Sequence, residues 1–340
     1  MNQKPFKILS IDGGGIKGLY SATLLAAIEE RTGKPIGASF DMICGTSTGG
    51  LIALALASGQ PAQDLVDLYY NHGNEIFPTS NNKWLRPLQS FLQTIKQATW
   101  GGKYSNKSLQ VHLEKVFGAK TLGELNNLVC IPSFNLTQGK PRVFKYPHSE
   151  GNLFKDKNVP LVDAALATSA APTYLPIHRY ENELYVDGGV WANNPSLCGV
   201  LEALQYFVGE DKEYDRIDLL SIPSIEASSA WTPDAVKNKS FAGWRDKLFQ
   251  TSMDGQAFFA DFFLKNTIEK LAMNSRYHRI KSPALSKVQM DMISMDRTDK
   301  AALDTIKGLG DYKGSEIALD ENVLHFFKTL KTYSIKKLKI

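Results

Sequence analysis

At 340 residues and 43% hydrophobic, the chain can bury a sizeable core, which excludes a small disulfide-stapled module. A formal charge of +4 is too small for a dedicated nucleic-acid binder, so neither DNA nor RNA is expected as a partner. The three cysteines, Cys44, Cys130 and Cys198, are an odd number in apolar surroundings and read as reduced thiols filling core space, as in a cytoplasmic protein.

Phe6 to Ile11 predicts a buried strand and leaves no room ahead of it for a secretory leader. Asp12-Gly13-Gly14-Gly15 is a tight turn, and Leu19 to Thr32 a helix with Leu24, Leu25 and Ile28 on its apolar face. A second strand, Phe40 to Cys44, runs into Gly45-Thr46-Ser47-Thr48-Gly49, and a small-residue helix, Gly50 to Ser58, follows. Ser47 thus falls at a strand-to-helix corner. The longest apolar run, Leu51 to Ala57, is too short to span a bilayer, so any lipid contact is peripheral. Pro61 opens a helix to about Ile76.

From Ile76 to Leu113 there is no acidic residue, while Lys83, Arg86, Lys96, Lys103 and Lys107 are basic. Leu85, Leu88, Leu92 and Ile95 recur there at helical spacing, near Trp84 and Trp100. That composition suits an interfacial helix or lid, and equally a helix packed on the body with solvated lysines. Next come a short helix, Lys107 to Val116, and two strands, Leu128 to Leu136 and Arg142 to Tyr146, joined as a hairpin. Pro160 opens a helix over Leu161 to Ser169, and the strand Glu183 to Val186 delivers Asp187-Gly188-Gly189. Asn194-Pro195 starts a helix to Phe207, and Ile217 to Ile222 is a further buried strand. Glu226 to Asn238 reads as a polar loop. Helices are expected over Trp244 to Leu271, Asp299 to Gly308 and Asp320 to Lys331, with strands at Tyr277 to Ile280 and Met290 to Ser294. Lys331, Lys336, Lys337 and Lys339 form a basic tail. Strands alternating with helices predict an α/β fold, a mostly parallel sheet covered on both faces within one domain.

A serine hydroxyl is a poor nucleophile near neutral pH, so Ser47 would need a base and donors for an oxyanion. Asp187 supplies a carboxylate, and the side-chain-free Gly13, Gly14 and Gly15 supply N–H groups at a helix start. A methyl at Gly14 is expected to strike turnover and leave the melting temperature alone. The Gly-x-Ser-x-Gly match is weak alone in a chain with 26 glycines; the two flanking Asp-Gly turns give it context. Gly13 to Gly18 also fits the dinucleotide pattern Gly-x-Gly-x-x-Gly, but that fingerprint wants an acid closing the second strand, where this chain has the serine corner. Six histidines show no metal spacing, and no metal or cofactor is expected. His278 or His325, which follow Asp187, leave a Ser-Asp-His triad open.

Together these motifs resemble the patatin-like phospholipases. Asp12-Gly-Gly-Gly-Ile-Lys-Gly18 is similar to that family's oxyanion loop, Gly45 to Gly49 to its nucleophile elbow, Asp187-Gly188-Gly189 to its catalytic Asp turn, and Thr168 to Tyr174 to the segment before it. Lys17 stands where the family commonly has Arg. The resemblance implies a three-layer fold and a Ser-Asp dyad in which Ser47 accepts the acyl group, Asp187 takes its proton and Gly13 to Gly15 hold the oxyanion, with no cofactor. Phe258-Phe259-Ala260-Asp261 and Tyr277-His278-Arg279-Ile280 are similar to bacterial patatin-like effectors of cyclic-oligonucleotide antiphage signalling. That narrower resemblance implies a membrane phospholipid substrate, a cyclic di- or trinucleotide activator and peripheral association with the inner membrane. It also implies a catalytic core over 1–210 and a mostly helical, regulatory C-terminal part of the same domain over 211–340; a homo-oligomer is compatible with it. An unregulated lipid acyl hydrolase and a non-catalytic lipid-binding protein stay open as alternatives.

Overall fold

The computed structural model describes residues 4–76, 105–149, 152–226, 244 and 246–334. Among them one sheet runs through the molecule. Strand β1 (Pro5–Ile11) lies between β2 (Met42–Gly45) and β7 (Arg216–Ile222), parallel to both. Its apolar residues Phe6, Ile8, Leu9 and Ile11 are fully buried, as expected of a parallel strand covered on two faces. β8 (Arg276–Arg279) extends the parallel run beyond β7, and β3 (Leu128–Asn135) extends it beyond β2. The antiparallel strands β4 (Lys140–Lys145), β5 (His178–Tyr180) and β6 (Glu183–Asp187) complete the β3 side.

Both faces carry helices because neighbouring side chains on a strand point oppositely. Cys44 faces the helix Ser196–Tyr206, where a methyl on Gly199 would lie 2.6 Å from its Sγ. Gly45 faces α2 (Thr48–Ala57), where a methyl would lie 2.0 Å from the Gly49 carbonyl oxygen. Helix α1 (Gly18–Thr32) packs on α3 (Ala62–Ile76) and on the helix Lys300–Ile317. A 26-residue helix, Asp246–Leu271, crosses beside β8. Among the described residues no helix is long and apolar enough to cross a membrane.

The pairings of β3 bring two distant loops together. β2 pairs with its first half, ending at Cys44↔Cys130, while β6 pairs antiparallel with its second half, ending at Ser133↔Asp187. β4 covers Cys130 to Asn135 from the other edge, so β2 and β6 share one edge and meet head-on. Ser47 and Asp187 follow from that meeting.

Several expectations are corrected. The helix expected to stop at Gly308 continues to Ile317, because Gly310 and Gly314 are its contact with α1: methyls there would lie 2.7 Å from Thr23 Cβ and 2.8 Å from Ala27 Cβ. Met290 to Ser294 is not a strand. It overlaps a helix, Lys287–Met292, started by a Ser286–Gln289 capping box. The helix expected over Asp320 to Lys331 is only Glu321–Leu324 plus a 3-10 turn, His325–Phe327. The second strand starts at Met42, since the Asp41 carboxylate accepts the Lys7, Thr332 and Tyr333 amides. β5, three residues long, and a short helix at Gly189–Ala192 gave no sequence signal. The cationic stretch containing Lys83, Arg86, Lys96 and Lys103, the polar loop beyond Glu226 and the tail lysines Lys336, Lys337 and Lys339 lie outside the described residues.

Candidate active site

Ser47 is the residue before α2 and holds φ 55°, ψ −126°, a strained conformation for a residue with a Cβ. Close packing imposes it: a methyl on Gly49 would lie 2.3 Å from the Ile11 carbonyl oxygen, so α2 sits directly on the end of β1. The Ser47 side chain lies beside the buried Asp187 carboxylate, close enough for its hydroxyl to favour the ionised form, and Asp187 Oδ1 accepts the Gly189 amide at 2.7 Å. Burial pushes Asp187 up to about 7, against the pull of the Gly189 amide and the Ser47 hydroxyl. Near neutral pH it is therefore poised between acid and base.

Thr168 ties the two loops together. Its Oγ1 accepts the Ser47 amide at 3.0 Å and donates to the Pro132 carbonyl at 2.5 Å, and its own carbonyl accepts the Gly188 amide at 3.3 Å. Asp187 N–H donates to Ala170 at 3.0 Å, so the segment from Thr168 frames the Asp turn. Gly188 is held tightly against Pro132, whose carbonyl oxygen lies 2.3 Å from where a methyl would be.

The glycine turn lies against the same corner. A methyl on Gly13 would lie 3.1 Å from Ser47 Cβ. The Gly13 amide is already spent on the Asn193 carbonyl at 3.1 Å, whereas no described group accepts from the Gly14 or Gly15 amides. Gly15 has φ 59° and backs onto Met295, so it needs to be glycine. Thr48, the first residue of α2, offers one more amide without a helical acceptor, which sequence reading had not singled out.

Arg279, also unforeseen as part of the site, forks onto Asp12 with Nη2–Oδ2 2.6 Å and Nη1–Oδ1 3.2 Å, and fixes the start of the glycine turn. Burial raises the Asp12 pKa and the guanidinium opposes that rise. Lys17 is buried, with Nζ donating to the Ile225 carbonyl at 3.1 Å, and burial lowers its pKa. Gly18 lies against Thr48, whose Cβ is 3.0 Å from where a methyl would be.

Two spaces flank Ser47. One is a narrow apolar pocket of about 20 Å³ bounded by Leu51, Tyr69, Ile76, Leu109, Tyr174 and Leu175, with Ser47 in its wall. The other is a polar cleft of about 610 Å³ that begins at Gly13 and Asn193 and passes Lys17, Ser224, Met253 and Arg279. Among the described residues, Asn193 Oδ1 and Ser224 Oγ are buried there without hydrogen-bond partners. A hydroxyl beside a near-neutral carboxylate, two uncommitted amides and an apolar slot are the parts that attack on a fatty acyl ester needs.

The histidines lie elsewhere. His148 pairs with Glu202 and His178 with Asp163, and His278 and His325 line a different cleft beyond β8. His72 and His112 share Glu75, and the three side chains offer ligand atoms within 4.8 Å of one another, where a metal ion could be held. Sequence spacing hides that grouping because His112 comes from a separate helix, Lys107–Phe117.

The patatin-like phospholipase family model matches residues 9–197, which contain the Asp12 glycine turn, the Ser47 corner and the Asp187 turn. The chain is 32% identical to a cGAMP-activated phospholipase of Pseudomonas aeruginosa, over 90% of this chain and 87% of that protein. It is 35% identical to one of Vibrio cholerae, over 69% and 68%, and 31% identical to Patatin-like protein 2 of Oryza sativa, over 94% and 85%. Among solved structures, human GIVD cytosolic phospholipase A2 superimposes with a TM-score of 0.39 at 11% identity, covering 96% of this chain and 60% of that one. With a family match over more than half of its length and relatives spanning nearly all of it, the chain belongs to the patatin-like phospholipases and is a lipid-ester hydrolase.

Proposed function

We propose that the protein hydrolyses carboxylic esters of membrane phospholipids through a Ser47–Asp187 dyad, working at the membrane surface of a bacterial cell, and that a cyclic oligonucleotide switches it on in antiviral defence. The observation that carries the chemistry is a strained serine at the strand-to-helix corner set beside a buried carboxylate that burial pushes up to about 7. Ser47 Oγ attacks the ester carbon as its proton passes to Asp187, and the carbonyl oxygen becomes an oxyanion. The Gly14 and Gly15 amides hold that charge, with Gly13 shaping the turn. When the tetrahedral intermediate collapses, the ester C–O bond breaks and Asp187 returns the proton to the leaving lysolipid oxygen. The fatty chain, now esterified to Ser47, begins at the apolar pocket. Water then attacks the acyl-enzyme, giving its proton to Asp187, and the fatty acid leaves as the proton returns to Ser47.

Regulation is supported by the names of the bacterial relatives, which are called cGAMP-activated. The 211–340 part is proposed to carry it. Because the rice relative bears no such name at similar identity, an unregulated lipid acyl hydrolase is the second reading. Phospholipid hydrolysis by purified protein, with and without a panel of cyclic di- and trinucleotides, separates them. Ser47→Ala and Asp187→Ala should each abolish hydrolysis with the fold intact, and their losses should not add, because nucleophile and base act as one unit. Near-normal activity in Asp187→Ala, with loss in His278→Ala or His325→Ala, would overturn the dyad.

A further inference from the structure

A cyclic dinucleotide brings two phosphodiester charges and two flat bases, so its site must be cationic, roomy and separate from the acyl cavity. Three spaces can be compared on charge. The cavity beside Ser47 is apolar. Among its described lining residues the cleft at Gly13 has two cations, Lys17 and Arg279, facing four carboxylates, a balance that disfavours a dianion. The third, about 500 Å³, lies between the Asp246–Leu271 helix, β8 and the Glu321–Leu324 turn. It reverses that balance: among the described lining residues, Lys265, Lys270, Arg276 and Lys328 face Glu269 and Glu321, and His278 and His325 add two further rings.

We infer that this third cleft is the activator site, an inference that rests on the regulatory reading above. Arg276 is held at the cleft by His325, Nη1–Nε2 3.1 Å, a partner that a phosphate would replace with a stronger one. Tyr277 and Phe326 supply aromatic surface in the same wall.

The cleft is joined to the catalytic loop by one short strand and one helix. β8 begins with Arg276 in the cleft and ends, about 10 Å on, with Arg279, whose guanidinium holds Asp12 at the start of the glycine turn. On the helix, Lys265 faces the cleft yet pairs with Asp261 at 2.6 Å, and Asp261 also accepts the Tyr277 hydroxyl at 2.9 Å. A phosphate that draws Lys265 and Arg276 toward itself releases Asp261 and shifts β8. Both changes reach the Arg279–Asp12 fork, and through it the Gly14 and Gly15 amides.

The test uses cGAMP as the probe on the full chain. Isothermal titration should show saturable binding to the wild type. Lys270→Gln/Arg276→Gln/Lys328→Gln should weaken it about 1000-fold, since each of the three lost charge-assisted contacts is worth about tenfold. Hydrolysis of a soluble short-chain ester without nucleotide should stay unchanged, which certifies the fold. Tyr277→Phe should bind cGAMP within threefold of the wild type but respond less, the split expected of a positioning residue rather than a ligand contact. Wild-type affinity and activation in the triple variant would overturn the cleft while leaving regulation standing. A wild type that neither binds nor responds to any cyclic di- or trinucleotide overturns both. Loss of binding to phosphatidylglycerol vesicles in the triple variant, with unchanged cGAMP binding, would make the cleft a lipid-headgroup site and also overturn the inference.

Discussion

At the scale of single residues, Asp187 gives the sharpest expectation. An unfolded aspartate titrates near 3.9, whereas Asp187 in the fold titrates at about 7 because it is buried. Between those values the native state holds more protons than the unfolded chain, so this group's contribution to stability falls as pH rises through that window. Activity runs the other way: the base must be ionised, and kcat/KM should climb with pH through about 7. Asp187→Asn should therefore be inactive yet melt higher than wild type at pH 8, with little difference at pH 4; a lower melting point at pH 8 would contradict the buried-carboxylate assignment. Gly14→Ala is less clean than its sequence suggested, because the added methyl would lie 2.1 Å from Ser224 Oγ and 2.8 Å from Ser224 Cβ. Both turnover and melting temperature should fall, turnover by about 100-fold or more for a lost oxyanion donor. In Gly14→Ala/Ser224→Gly the melting temperature should recover and the turnover should not. Recovery of both would mean that Gly14 acts only through folding. Ser47 and Asp187 were legible in the sequence because each sits in a turn whose glycines are forced by close packing. Arg279 was not legible as a site residue, since its partner Asp12 lies 267 positions away and only the sheet brings them together.

At the scale of elements, the strands and their loops read well where apolar runs are bounded by turns, and the helices read poorly where a residue type carries two meanings. Glycine in the Lys300–Ile317 helix looked like a stop signal and is instead a contact surface that lets α1 approach. Apolar alternation at Met290 to Ser294 suggested a strand, yet the local capping box at Ser286 outweighed it. The α1 contact can be tested directly. Gly310→Val would place its branched carbons against Thr23, where even the first methyl sits at 2.7 Å, and forcing the helices apart typically costs about 1–3 kcal/mol. Gly308→Val on the same helix, where no described atom lies within 4 Å of the added methyl, isolates the propensity effect. Chemical denaturation should show Gly310→Val the less stable of the two. Equal stability would mean the helix yields without strain.

At the scale of the whole molecule, the C-terminal half is built into the catalytic sheet rather than appended to it. β7 pairs with β1 along all seven of its residues, from Pro5↔Arg216 to Ile11↔Ile222, and β8 extends that edge. Phe6 stacks on Phe207 at 4.8 Å and meets Tyr214 edge-on at 5.0 Å. Near the end of the described chain, Phe326 and Phe327 pack on Phe40, the Phe326 carbonyl accepts the buried Lys7 ammonium at 3.2 Å, and the Thr332 and Tyr333 amides cap Asp41 just ahead of β2. Removing residues 211–340 would thus strip one edge from the central strand and uncover aromatic core, leaving an unpaired parallel strand that invites aggregation. We expect residues 1–210 alone to be insoluble or molten, although every catalytic motif lies within them, and the full chain to melt in one calorimetric transition whose van't Hoff and calorimetric enthalpies agree. Such unity would also give nucleotide regulation a physical route, since a ligand on β8 acts on the same sheet that ends at Asp12 and Ser47. A soluble 1–210 fragment that hydrolyses short-chain esters, or two separate transitions in the full chain, would show that the halves fold independently and that any coupling between them must run through a docked interface instead.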